Sequence, residues 1–296
     1  MARVKTDTLQ QRSFSKKDDY SMLIKLRLSI VVVFTSVLGY IIAAGAAFSW
    51  TQLILLISGG MLVTGAANAL NQVFEKDFDV LMARTKERPI AAGRMKSSEA
   101  VMFAGISCLV GITILSSFNP LTGLLGMISL IIYSFVYTPL KRYSTIAVAV
   151  GAIPGALPVL IGYTAFGGEI TILAIALFSI QFLWQFPHFW AIGFLAFDDY
   201  RNAGYKLLPE VNGEIDKNIG LYAGLYAFLT IPVGIWCFMA GYGSISALII
   251  TLISSTLYAL FCYNMYNKHN RKSALLLMFS SFFYLPVVLS GYLIGL

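Results

Sequence analysis

Charge is scarce in this chain. Only 12% of its 296 residues are Asp, Glu, Lys or Arg, 58% are hydrophobic, and mean hydropathy is +0.76. Soluble domains carry about 25% charged residues. Half that share excludes an ordinary water-surrounded globule and points to a bilayer as the solvent. Cysteine is scarcer still. Cys108, Cys237 and Cys262 lie far apart in apolar runs with no CxxC pair, which excludes a thiolate zinc or iron–sulfur site and leaves three small buried hydrophobes. Histidine occurs twice, as His188 and His269. No Ser-His-Asp or Cys-His constellation stands out, so nothing points to a protein nucleophile. Pro and Gly fall inside apolar runs, which leaves no polar linker and no second soluble domain. The first 27 residues lack the apolar core of a cleaved signal. With Asp7, Asp18 and Asp19 among the bases, they also lack the acid-poor composition of a transit peptide. The expectation is a short, disordered cytoplasmic tail over 1–27 and one membrane domain over 28–296.

Long apolar sequence is what the chain has in quantity. Charge-free stretches run 28–74, 100–140, 143–168, 170–197, 218–267 and 273–296. A spanning helix needs about 20 apolar residues, so three stretches hold two helices each and three hold one. The predicted fold is an all-α polytopic bundle of nine transmembrane helices. Turns are expected at Phe48-Ser49-Trp50, Ser117-Phe118-Asn119-Pro120 and Gly241-Tyr242-Gly243-Ser244. The 21 bases test the count. Seven fall in the tail, six after span 2, two after span 4, three after span 6 and three after span 8. None falls on the other face, whose single charge is Glu169. The positive-inside rule then puts the N-terminus in the cytoplasm and the C-terminus on the opposite side. Topology accounts for the bases, and nucleic acid is not expected among the partners.

Against this background, "NALNQVFEKDFDVLMARTKERPIAAGR" (68–94) concentrates acids and bases. Asn68, Asn71, Glu75 and Asp79 are spaced 3, 4 and 4, so a continuing second helix puts all four on one face, with Asp77 elsewhere. Like charges at i, i+4 repel; a cation between them removes the conflict. An amide with two carboxylates suits a hard ion such as Mg²⁺, which keeps waters and binds phosphates. Arg84 and Arg88 follow and are suited to clamping phosphate oxygens. A second cluster, "AFDDYRNAGYKLLPE", brings Asp198, Asp199, Arg201 and Lys206 to the same face, as "YTPLKRYST" does Lys141 and Arg142. Together they suggest a metal-bridged diphosphate. Tyr133 and Tyr137 share a face near the end of span 4, as diphosphate or cation partners or as interfacial belt residues. His188 lies inside span 6 among Trp184, Phe186, Phe189 and Trp190. Ionisable residues within spans are rare and functional by default. Its open roles are an interhelical hydrogen bond or contact with a bound group. Lys25 and Arg27 read as interface anchors, and His269 as a polar-loop residue.

The pattern N-x-x-x-[DE]-x-x-x-D after span 2, with the Asp cluster after span 6, resembles the UbiA superfamily of intramembrane prenyltransferases. "NQVFEKDFDVLMARTKERPIAAG" (71–93), "YTPLKRYST" (137–145) and "WQFPHFWAIGFLAFDDYRNAGYKLLP" (184–209) resemble its heme-farnesylating branch. The resemblance implies transfer of a farnesyl group from farnesyl diphosphate to the 2-vinyl group of heme B, with water addition, in a bacterial inner membrane. It also implies Mg²⁺ held by Asn71, Glu75, Asp79, Asp198 and Asp199. Diphosphate would meet Arg84, Arg88, Lys141, Arg142 and Tyr137, and heme would meet Trp184 and His188, the latter as an axial ligand or a propionate partner. Heme A synthase or a terminal oxidase would be the downstream partner. The competing readings are an aromatic or chlorophyll-type acceptor and a non-enzymatic heme-handling protein.

Overall fold

The computed structural model describes residues 14–294; residues 1–13 of the expected tail lie outside the described residues. Among the described residues nine helices are long and apolar enough to cross a membrane. They are α2 (Leu26–Ala44, continued by a 3₁₀ turn to Ala47), α3 (Trp50–Asp79), α4 (Ser97–Ser116), α5 (Pro120–Ile131, the span continuing to Leu140), α7 (Ala147–Gly167), α8 (Ile172–Leu195), α10 (Ile219–Met239), α11 (Ile245–Lys268) and α12 (Arg271–Leu293). The three expected turns fall where α3, α5 and α11 begin. Asn119 caps α5 by accepting from the Thr122 amide at 2.9 Å, with Pro120 in the first turn. The chain is a multi-pass membrane protein.

The expected tail differs from Ser15 onward. Residues Lys16–Leu23 form α1, opened by a capping box in which Ser15 and Asp18 satisfy each other's backbone amides. That hydrogen-bonded arrangement also lowers the Asp18 carboxyl below its ordinary value. A left-handed turn at Lys25 (φ 48°) folds α1 back against α3. There Gln72 donates to the carbonyls of Met22 and Leu23, and Asn68 donates to that of Ile24. Leu23 is fully buried. Asp19 is buried too, paired with Arg94 at 2.8 Å.

Two helical clusters share the core. One joins α2–α5 with α7; the other joins α8 with α10–α12 and shares α2 and α7 with the first. The most buried span, α7, packs on α2, α5 and α8, and α12 reaches back to α2. Without a hydrophobic drive between helices in lipid, close packing must hold them, since an interhelical hydrogen bond adds only about 0.6 kcal/mol on average. The α2–α7 crossing shows it. A Cβ at Gly162 would collide with the carbonyl of Ser36, and one at Gly39 with that of Val159.

Prolines shape the centre. Pro158 cannot bond the Pro154 carbonyl, which accepts instead from Ser129 at 3.4 Å. Gln181 and Gln185 of α8 donate to the carbonyls of Gly155 and Ala152. In the fourth span a π-helical turn, Ile132–Tyr137, leads into α6 (Thr138–Leu140), which carries Pro139 in its first turn. One non-helical feature interrupts the all-α reading. After α9 (Phe197–Asn202), strands β1 (Glu210–Val211) and β2 (Glu214–Ile215) pair antiparallel. Asn212 and Gly213 between them, at φ 55° and 80°, form the left-handed turn that suits a two-residue hairpin.

Candidate active site

The 30 residues of α3 measure about 45 Å, longer than a hydrocarbon core of about 30 Å. Its last turns therefore reach the headgroup region, where charge is tolerable. The structure places Asn68, Asn71, Glu75 and Asp79 on the buried face of α3 and leaves Asp77 exposed. Asn71 and Glu75 face a cavity of about 640 Å³ between the two helical clusters, whose walls are mostly apolar.

Cations fill the space around these acids. Lys141 bonds Glu75. Arg88 Nη1 lies 2.7 Å from both Asp79 oxygens and 3.5 Å from Glu75 Oε2. The i, i+4 repulsion between Glu75 and Asp79 is thus relieved by Arg88, where the sequence suggested a metal. Burial works against the Arg88 charge, but the Asp79 carboxylate more than offsets it and lifts the guanidinium above its ordinary value. Thr85 donates to the Asp79 carbonyl at 2.9 Å and braces the loop that carries Arg88. Arg84 lines the same cavity.

Lys25 is the residue that sequence reasoning misplaced. It is not an interface anchor: the turn at its own backbone sends Nζ to Asn71 Oδ1 at 2.7 Å and to the Tyr133 hydroxyl at 3.4 Å. Burial foremost, then the Arg88 charge, holds its ammonium well below the ordinary value. Asn71 completes the link by donating to Thr138 at 3.1 Å. Tyr133 and Tyr137, 5.6 Å apart, line the cavity, and Lys141 Nζ lies 4.7 Å from the Tyr137 ring.

Tyr205 was not anticipated either. A backbone bond from Lys206 to the Lys141 carbonyl (2.7 Å) draws the α9–β1 loop over the acids. Its ring comes within 5.5 Å of Lys141 Nζ, and its buried hydroxyl has no partner among the described residues. Burial first, then the Glu75 and Asp79 charges, pushes that hydroxyl above its ordinary value. It is a donor beside the Glu75 and Asp79 carboxylates and the cations that pair with them.

The second acidic cluster is placed differently. Asp198 is exposed and lines a separate cleft with Arg201, Glu214 and Lys217; Asp199 is half-buried. The reason is helical phase. Tyr200 faces the main cavity, and on a helix Asp198 lies about 200° and Asp199 about 100° away from it. Neither has an ion pair among the described residues; here as at α3, no three His, Cys, Asp or Glu side chains among the described residues gather as a metal site. Arg142 also turns away, with its guanidinium 4.6 Å from the Phe78 ring.

Deeper in the cavity stand Trp184 and His188, stacked at 4.9 Å and 14°. Gln185 lines the cavity at the same level, and Gln181 about a turn further in. The cavity therefore joins a charged mouth, an apolar body and an aromatic recess with one imidazole.

Mg²⁺ binds through one or two carboxylates plus phosphate oxygens and water, without an all-protein cage. Asn71 and Glu75 supply hard oxygens at the cavity wall, and the unpaired Tyr205 hydroxyl with the surrounding cations suits an anion. The donor set fits.

Residues 32–285 match the UbiA prenyltransferase family. The chain is 41% identical over 270 residues to a protoheme IX farnesyltransferase of Cytophaga hutchinsonii, covering 91% of this chain and 94% of that one. A digeranylgeranylglyceryl phosphate synthase has a similar fold, with TM-score 0.79 at 18% identity, over 95% of this chain and 99% of that one. So does a UbiA homolog from Archaeoglobus fulgidus bound to DMAPP and Mg²⁺, with TM-score 0.72 at 14% identity, over 93% and 99%.

Proposed function

Because this chain belongs to the UbiA prenyltransferase family, we propose that it transfers a farnesyl group from farnesyl diphosphate to the 2-vinyl group of heme B, giving heme O and diphosphate. One observation carries the reading. A single cavity holds Asn71 and Glu75 with their cations at its mouth and the Trp184–His188 pair in its depth, with apolar walls between.

The farnesyl C1–O bond breaks with its electron pair leaving on diphosphate. The terminal vinyl carbon bonds C1, positive charge moves to the carbon beside the porphyrin, and water adds its oxygen there and loses a proton. Arg84, Arg88, Lys141 and Lys25 receive the diphosphate charge. Preorganised donors of this kind act on charge as it develops, in a site that excludes water. Tyr205 donates its free hydroxyl to the same group. Tyr133 and Tyr137 present π-faces near the allylic cation, and the apolar body takes the fifteen-carbon tail. Asn71 and Glu75 would hold Mg²⁺, with Asp199, next in chain to the cavity-lining Tyr200, as the member of the second cluster nearest that wall. Magnesium, when bound, would neutralise the leaving oxygens as a Lewis acid. Asp79 keeps Arg88 in place.

All 21 bases fall in the N-terminal tail or after spans 2, 4, 6 and 8, which supports an N-terminus in the cytoplasm and a C-terminus on the opposite side of a bacterial inner membrane. Heme A synthase or a terminal oxidase takes the product. Expression in a strain lacking its own heme O synthase, followed by chromatographic heme analysis, tests the assignment. Heme O is expected. Its absence while the folded protein sits in the membrane, or prenylation of an aromatic acid in its place, overturns the assignment.

A further inference from the structure

The two nitrogens of His188 have different surroundings. Nδ1 lies 2.7 Å from the Ser281 hydroxyl on α12. That hydroxyl also lies 2.5 Å from the carbonyl oxygen of Met278, one turn earlier in the same helix. Two oxygens this close need a proton between them, and a hydroxyl has one to give. Ser281 therefore donates to Met278 and can only accept from His188. Nδ1 must carry hydrogen, so the neutral ring has its lone pair at Nε2. Among the described residues Nε2 makes no hydrogen bond, and the residue faces the cavity.

The ring is also held in orientation. Trp184 stacks on one face, and Phe282 stands edge-on at 5.3 Å. The Trp184 indole donates to the Ser281 carbonyl at 2.8 Å, and the Tyr258 hydroxyl donates to the Trp184 carbonyl at 3.1 Å. One fully buried serine thus fixes both aromatic partners, through its hydroxyl and its carbonyl.

We infer that Ser281 is a positioning residue that locks His188 as the Nδ1–H tautomer and presents Nε2 to the iron of the bound heme as an axial ligand. The inference rests on heme being the acceptor. A neutral ring held this way has no hydrogen at Nε2 to offer a propionate. Ligating histidines are generally oriented through the other ring N–H, and losing that partner costs about 10–100-fold in metal affinity.

The test titrates heme b and metal-free protoporphyrin IX into the full-length protein in lipid nanodiscs. Wild type is expected to give a histidine-ligated optical and resonance Raman spectrum with heme b. His188→Ala should lose it, and added imidazole should restore it, which also shows that the variant is folded. Ser281→Ala should weaken heme b binding by about tenfold or more and leave protoporphyrin affinity unchanged, while Ser281→Thr, which keeps the hydroxyl, should recover heme b affinity. Persistence of the ligation signature in His188→Ala overturns the inference. So does an equal loss of both porphyrins in Ser281→Ala, which would mark a propionate or packing role. Heme O formation by a protein that shows no His188 ligation sinks the inference and leaves the function standing. No heme O together with no porphyrin binding sinks both.

Discussion

The two acidic clusters look alike in sequence and differ in almost every physical respect. On α3, Glu75 and Asp79 are buried and tied to Lys141 and Arg88. On α9, Asp198 is exposed, Asp199 is half-buried, and neither has an ion pair among the described residues. The difference teaches that an acid–base pattern gives the chemistry of a mouth without giving its wiring. The α3 acids and their cations form a set that is neutral enough to be buried. The α9 acids are open groups beside it.

The sharpest way to break this contrast is to remove Arg88. Arg88→Met strands the fully buried Asp79 carboxylate and should cost about 3–5 kcal/mol of stability, read from unfolding in detergent. Adding Asp79→Asn should recover most of it. No loss in the single variant would mean that the α3 set is as loosely held as the α9 acids. Next in size is Glu75→Gln, which keeps the shape of a cavity-facing group and removes its charge. Heme O formation in membranes should fall about 10²–10³-fold, the usual cost of losing one preorganised charge partner. Asp199→Asn should lie between that value and no effect.

A smaller effect concerns Lys25, which faces Arg88, Glu75, Lys141 and Asp79. Its folded value is lowered, chiefly by burial. Between that value and 10.5 the unfolded chain holds more protons, so stability rises as pH climbs through this window. Below the window the destabilisation is full and constant. Lys25→Met should flatten the rise. Diphosphate raises the ammonium's value again, so binding should take up at most about one proton at alkaline pH in wild type and fewer in Lys25→Met. Calorimetry in buffers of different ionisation enthalpy counts them. Smallest of all, Asp198→Asn should change activity and stability by no more than about 0.5 kcal/mol, as an exposed substitution does; a loss matching that of Glu75→Gln would erase the contrast.

Local patterns made much of this legible. Apolar run lengths gave the nine spans, Gly, Pro and Asn gave the turns, and helical spacing put Asn68, Asn71, Glu75 and Asp79 on one face. What escaped depends on contacts distant in sequence. Lys25 reaches Asn71, 46 residues on, through one left-handed residue that no periodicity signals. Tyr205 is drawn in by a backbone bond between Lys206 and Lys141. Ser281 meets His188 across 93 residues. The Asn212-Gly213 turn was readable, since that dipeptide is a strong hairpin signal, yet an all-α reading has no place for it. Helical spacing fixes which residues share a face; it does not say what that face meets.

The most direct measurement is equilibrium binding of inorganic diphosphate to the purified protein, with and without Mg²⁺, in wild type, Glu75→Gln and Asp198→Asn. Mg²⁺-dependent binding that is lost in Glu75→Gln and kept in Asp198→Asn is the predicted result. Binding that ignores Mg²⁺, or that survives Glu75→Gln, would contradict a diphosphate site built on α3.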